Sequence, residues 1–324
     1  MHQLSLPLIQ QAVSFLEGKI RRTPLEYSPV LSDRMKVPIY FKLEFLQTTG
    51  SFKIRGGLFY LSTLTSLETK KGVAACSAGN HGLGVAYAAQ KLGIPCTIYV
   101  PSSVDVAKYE KIKKLGAEVI KSPFSGYDDT YDWALKQVAK TEQHLISAFD
   151  DVRIMASNGG SLAHEVLTDL PEARNFLIPV GGGGLSAGFA YYVKEKNPQA
   201  RIIGCQHQDS PALHLSLQKG QAMTRLPAVE TLAGAIEGGI GEKCFGILKD
   251  RVSDVALVSE EELIEGVRWM LENHQYLIEP SSAVVIASCL FSRIKKLEGP
   301  TVIVLSGRNV NYGTLQQIIT RKKE

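Results

Sequence analysis

Between residues 73 and 305 short β-rich runs alternate with stretches of helical periodicity, an order that suits parallel sheets covered by helices. Val73–Cys76 predicts a strand, His81–Leu92 a helix with Val85, Ala88, Ala89 and Leu92 on one face, and Cys96–Val100 a second strand. Strands over Ala117–Ile120 and His144–Ser147 bracket a helix near Tyr131–Lys140, and a first lobe is expected to end there. A second series follows, with a helix over Ser161–Leu167, a strand over Phe176–Val180, a helix over Leu185–Lys194 and a strand over Arg201–Cys205. Helices over Glu260–Leu271 and Ser281–Phe291 precede a strand over Thr301–Leu305, a glycine-containing turn and a terminal helix. Sheets of this kind bind ligands beyond the carboxyl ends of their strands, so function is expected in the strand-to-helix turns.

A chain of 324 residues is too long for one small core, which implies two lobes and a cleft. Its 44% hydrophobic and 21% charged residues are those of an ordinary globular protein. The 36 basic and 32 acidic residues are scattered, with no basic stripe interleaved with aromatics, which argues against nucleic acid as a partner. The one basic run, Arg321-Lys322-Lys323, reads as a solvated helix end. The five cysteines, at 76, 96, 205, 244 and 289, are odd in number and widely spaced, and they form no Cys-x-x-Cys pair. Reduced thiols fit that pattern better than disulfides or structural zinc. Met1-His2-Gln3-Leu4 lacks the build of a signal peptide, and no apolar run is long enough to span a bilayer, so a cytoplasmic protein with no membrane partner is expected.

Four turns stand out. In Thr48-Thr49-Gly50-Ser51-Phe52-Lys53-Ile54-Arg55-Gly56-Gly57, Lys53 opens a helix, where the dipole disfavours a cation. Desolvated beside a second cation such as Arg55, it would lose proton affinity and become a usable amine. Cys76-Ser77-Ala78-Gly79-Asn80-His81-Gly82 suits an ordinary capped turn and equally a nest of N–H groups for a carboxylate. Val180-Gly181-Gly182-Gly183-Gly184-Leu185 marks a place where backbone must approach something closely, and a phosphate at the following helix start is the natural candidate. Val304-Leu305-Ser306-Gly307-Arg308-Asn309, after the last strand, taken alone is a common turn.

Taken together these motifs carry a resemblance. Ser51-Phe52-Lys53-Ile54-Arg55-Gly56 resembles the cofactor-lysine motif of the threonine dehydratase and serine racemase family of pyridoxal phosphate (PLP) enzymes, and the other turns follow in that family's order along essentially the whole chain. The resemblance implies a two-lobed α/β fold of PLP fold type II, like the tryptophan synthase β chain, with helices on both faces of parallel sheets. Residues 1–53 and 146–324 would form the large PLP-binding domain and residues 54–145 a small inserted domain, with no regulatory domain after residue 324. Lys53 would hold PLP as a Schiff base and act as the base once freed. Gly181, Gly182, Gly183, Gly184 and Leu185 would hold its phosphate, and Ser306 would meet the pyridine nitrogen. Phe52 and Asn80 would position the ring, and Glu279, from Glu279-Pro280-Ser281, would lie near it. Ser77, Ala78, Gly79, Asn80 and His81 would line the substrate side, with no acid or base role for His81.

The implied reaction removes the β-hydroxyl of an amino acid: threonine gives 2-oxobutyrate and ammonia, serine gives pyruvate and ammonia. A neutral hydroxyl at Ser306 makes a weaker electron sink than an Asp would, which suits elimination over transamination. Family members are commonly homodimers or homotetramers. Ser157-Asn158-Gly159-Gly160-Ser161 and Arg308 depart from the usual pattern and leave the substrate open, including a hydroxyectoine-utilisation branch or 3-hydroxyaspartate. A serine racemase type of isomerase, a transferase of the cysteine synthase kind and a non-catalytic binding protein are the competing classes. No metal is expected, because Gln206 and Ala212 stand where cation-activated relatives have Glu and Asp.

Overall fold

The computed structural model describes residues 3–321, so Met1 and His2 of the amino terminus and Lys322 and Lys323 of the basic run lie outside it. Its strands, in chain order, are β1 Leu25–Tyr27, β2 Ile39–Lys42, β3 Val73–Cys76, β4 Cys96–Val100, β5 Glu118–Lys121, β6 His144–Leu145, β7 Asn175–Pro179, β8 Arg201–His207, β9 Asp254–Val258 and β10 Thr301–Val304. They form two sheets. One runs β1-β2-β10-β7-β8-β9 and the other β5-β4-β3-β6. Every neighbouring pair is parallel except the β1–β2 ribbon at the edge of the larger sheet.

Both faces of each sheet are covered, and alternation along the strands decides which residue faces which layer. In the larger sheet Phe176, Ile178, Val302 and Val304 pack with the helix Gly184–Lys196, while Leu177, Ile303 and Leu305 pack with the helix Pro280–Leu290. In the smaller sheet Val73, Ala75, Ile98 and Val100 face the helices Lys53–Ser62 and Asn80–Leu92, and Ala74, Cys76 and Tyr99 face Tyr127–Thr141. In β3, β4 and β10 β-branched and small residues stand at nearly every position and both faces are apolar, which is why these strands read as continuous runs in the sequence.

The register sets the site. Val304 of β10 lies beside Lys42 of β2, and Ile303 lies beside Leu177 of β7, so the carboxyl ends of three neighbouring strands are level. The turns leaving those ends carry Lys53, Ser306 and the glycine loop. The elements predicted from periodicity are present with ends shifted by a few residues; β1 and β9, at the two edges of the larger sheet, are not among the predicted strands. Gly160 closes a π-helical turn, Ala156–Gly160, between the helices Val152–Met155 and Ser161–Asp169. Ser157, Asn158 and Ser161 are buried there, so this departure acts through packing behind Lys53. The Asn158 carboxamide oxygen accepts the N–H of Gly56 at 2.8 Å.

Candidate active site

Lys53 is the first residue of its helix, and the turn before it is tied to the turn after β10: the Phe52 N–H donates to the Ser306 carbonyl at 3.2 Å, and Ser51 bridges to Gly307. The Lys53 Nζ donates to the carbonyl of Ala148 at 2.7 Å and lies 5.3 Å from the centre of the Phe52 ring. Burial of the ammonium lowers its pKa from 10.5 to about 8, against the opposing fields of Cys244 and Glu279. Arg55 has no part in this, contrary to the expectation that a neighbouring cation depresses Lys53. Its guanidinium is fully buried, donates to Glu44 at 2.8 Å and to Glu165 at 2.7 Å, and is held charged by those carboxylates. Lys42 adds a second cation, 2.6 Å from Glu165, so two cations face two anions and little net field reaches Lys53.

The second turn leads from β3 into the helix Asn80–Leu92. The Ser77 hydroxyl accepts the Gly79 N–H at 3.2 Å, and the N–H groups of Asn80 and His81, in the first turn of the helix, lack intrahelical partners. Asn80 donates to Glu279 Oε1 at 2.7 Å. His81 is buried, its Nε2 lies 3.1 Å from the Ile146 carbonyl, and burial together with the Lys53 charge lowers its pKa to about 3. The imidazole therefore stays neutral near neutral pH. Beside this turn a cavity of about 150 Å³ is bounded by Ala78, Gly79, Lys108, Asn309 and Tyr312.

The glycine loop follows β7. Gly183 has φ +95°, which L side chains rarely adopt, and a Cβ on it would lie 2.7 Å from the Cβ of Cys244. A Cβ on Gly182 would lie 2.2 Å from the Phe149 ring. The side on which these residues lack Cβ atoms is therefore filled by the protein itself, and packing already demands glycine. An anion has the first-turn N–H groups of the helix Gly184–Lys196. Leu185 points its side chain into the core and contributes only backbone.

The sequence model of the pyridoxal-phosphate dependent enzymes matches residues 16–307. The chain belongs to that family. It is 39% identical over 319 residues to an L-threonine ammonia-lyase of Geobacter sulfurreducens, covering 98% of this chain and 79% of the relative. It is 32% identical to the catabolic L-threonine dehydratase of Escherichia coli, covering 96% of this chain and 94% of the relative. Among solved structures, maize serine racemase superposes with a TM-score of 0.92 at 27% identity, over 98% of this chain and 97% of that one. The family's cofactor is pyridoxal phosphate, and fold type II is the architecture described above.

The residues present fit that group. An amine lowered to about 8 suits an imine link to an aldehyde. A helix start approached through four glycines suits a dianion. Ser306, 5% exposed, supplies a hydroxyl level with Lys53, and the hydroxyls of Thr49 and Ser51 are buried in the same turn without a partner. The same geometry brings in residues that sequence reasoning missed. Asn309 donates its N–H to Glu279 Oε2 at 2.9 Å and its side-chain amide to Asn80 Oδ1 at 2.6 Å. Ala148, Phe149 and Cys244 surround Lys53 and the loop. Asn309 stands in a motif that was noticed, but nothing local says that its partner lies 229 residues away.

Proposed function

We propose that this chain is a PLP-dependent ammonia-lyase that converts L-threonine to 2-oxobutyrate and ammonia, and L-serine to pyruvate and ammonia. The observation that carries the reading is the desolvated amine of Lys53, which opens its helix level with the Ser306 turn and the glycine loop. The names of relatives at 32–39% identity over nearly the whole chain support the substrate class. Residues 1–53 and 146–324 would act as the large domain and residues 54–145 as the small one. We take the enzyme to be a cytoplasmic homodimer or homotetramer. Five buried, unpaired cysteines support a reducing compartment.

In this mechanism PLP, when bound, supplies the electron sink that lets the Cα–H and Cβ–O bonds break. Lys53 anchors the cofactor and, released by the substrate amine, takes the α-proton on Nζ. The Ala148 carbonyl, 2.7 Å from Nζ, holds that amine in place. The Ser77–His81 turn would hold the substrate carboxylate through the Ser77 hydroxyl and the N–H groups of Asn80 and His81, because the Ser77 and Gly79 N–H groups already donate to the Tyr99 carbonyl and the Ser77 hydroxyl. Ser306 would meet the pyridine nitrogen, and Phe52, Asn80 and Glu279 would orient the ring. The glycine loop and the Leu185 N–H would hold the phosphate. Incubating the purified holoenzyme with L-threonine and L-serine and trapping 2-oxo acids with a hydrazine reagent tests the proposal. Product from either supports it, and no product from any β-hydroxy amino acid overturns it.

A further inference from the structure

The segment Ile146–Asp150, which leaves β6 and enters the helix Val152–Met155, touches Lys53, His81 and the glycine loop although it belongs to none of the sequence motifs. The Ile146 carbonyl meets His81 Nε2 at 3.1 Å, and the Ala148 carbonyl accepts from Lys53 Nζ at 2.7 Å. Phe149 occupies the space next to the glycine loop. Its ring lies 2.2 Å from where a Cβ of Gly182 would be, and its own Cα lies 2.8 Å from where a Cβ of Gly184 would be. The Phe149 carbonyl accepts from Cys244 Sγ at 3.4 Å, and Asp150 Oδ1 accepts the Cys244 N–H at 3.1 Å. Cys244 in turn fills the space beside Gly183. The Ser147 hydroxyl stiffens the turn by accepting the Asp150 N–H at 2.9 Å.

Resting on the PLP reading above, we propose that Ala148-Phe149 is a positioning pair that sets the distance between the Lys53 amine and the phosphate loop. A loop of four glycines has little conformational preference of its own, and its shape must come from what packs against it. The Phe149 ring is the rigid surface under Gly182, and its removal leaves a void into which the loop relaxes, so its N–H groups lose their common aim. Because the residue before Phe149 carries the carbonyl that receives Lys53, one dipeptide would fix both the amine and the phosphate loop that hold the cofactor. Phe149 touches no reacting atom in this scheme and acts through Gly182 and Gly184.

A double-mutant cycle tests this, with PLP dissociation constants measured by titrating apoprotein and with thermal melting of each apoprotein as a fold control. Phe149→Ala is expected to weaken PLP binding by roughly 10-fold, and Phe149→Tyr, which keeps the ring, to restore it. Gly182→Ala alone is expected to weaken binding by a similar factor, because the new methyl meets the ring. In Phe149→Ala/Gly182→Ala the methyl enters vacated space, so the double variant should bind no worse than Phe149→Ala. Wild-type affinity in Phe149→Ala, or losses that multiply in the double variant, would overturn the inference. If Phe149→Ala melts too low to assay, Gly182→Ala binding PLP as tightly as wild type overturns it equally. A wild type that takes up no PLP at all would instead remove the proposed function on which the inference rests.

Discussion

Asn80 and Glu279 meet through a 2.7 Å hydrogen bond that joins the turn after β3 to the start of the helix Pro280–Leu290, 199 residues apart. Burial raises the Glu279 pKa from 4.5 to about 7, although the Asn309 N–H, the Asn80 amide, Lys108 and Lys53 all favour its charged form. The folded protein therefore keeps this proton up to about pH 7, whereas the unfolded chain releases it near 4.5. Between those values the folded state binds more protons, so stability falls as pH rises, by up to about 3 kcal/mol from this group. Denaturant unfolding of the apoprotein at pH values on either side of that window should show a smaller decline for Glu279→Gln than for wild type. Parallel declines in the two proteins would show that Glu279 is not the group responsible.

Lys53 should control cofactor uptake through its neutral amine. With its pKa lowered from 10.5 to about 8, the rate at which apoprotein captures PLP should rise with pH and level off above about 8. Stopped-flow absorbance measures this directly. Lys53→Ala should show no covalent adduct by mass spectrometry after borohydride reduction and no lyase activity. A capture rate that keeps climbing to about pH 10 would mean that burial does not depress this amine.

Chelation should leave the activity unchanged. Gln206, which stands in place of an acidic cation ligand, is buried and has both ends of its amide engaged, donating to the Val180 carbonyl at 3.2 Å and accepting the His214 N–H at 3.0 Å. Ala212 has no side-chain oxygen to offer, and its carbonyl accepts from the Ser216 hydroxyl, while Asp209 nearby is largely exposed. Activity lost on dialysis against a chelator and recovered with magnesium would contradict this.

Elimination should prevail over racemisation because of residue 78. Racemisation needs a proton donor on the face opposite Lys53, and the methyl group of Ala78 cannot supply one. His81 cannot replace it, since it is neutral with its Nε2 turned to the Ile146 carbonyl. Incubation of wild type and Ala78→Ser with L-serine, followed by chiral chromatography, compares D-serine with pyruvate. The ratio should be low in wild type and rise in the variant. Abundant D-serine from wild type would favour an isomerase.

What the sequence alone determined is local. Periodicity placed most strands and helices because both faces of these parallel sheets are buried, and the Lys53, Asn80, Gly181–Gly184 and Ser306 turns were legible because glycine, helix-start and turn preferences act within a few residues. The tertiary structure decided everything that depends on a distant neighbour. Arg55 looked like the cation that lowers the Lys53 pKa until Glu44 and Glu165 were seen to neutralise it, and burial took over that role. The glycines looked like an accommodation of phosphate alone until Phe149 and Cys244 were found filling the space beside Gly182 and Gly183. Lys53 and Ala148 are 95 residues apart, and Asn80 and Asn309 are 229 apart. Desolvation, pairing and close approach are properties of the surroundings, and those surroundings exist only once the level strand ends of the larger sheet have brought the turns together.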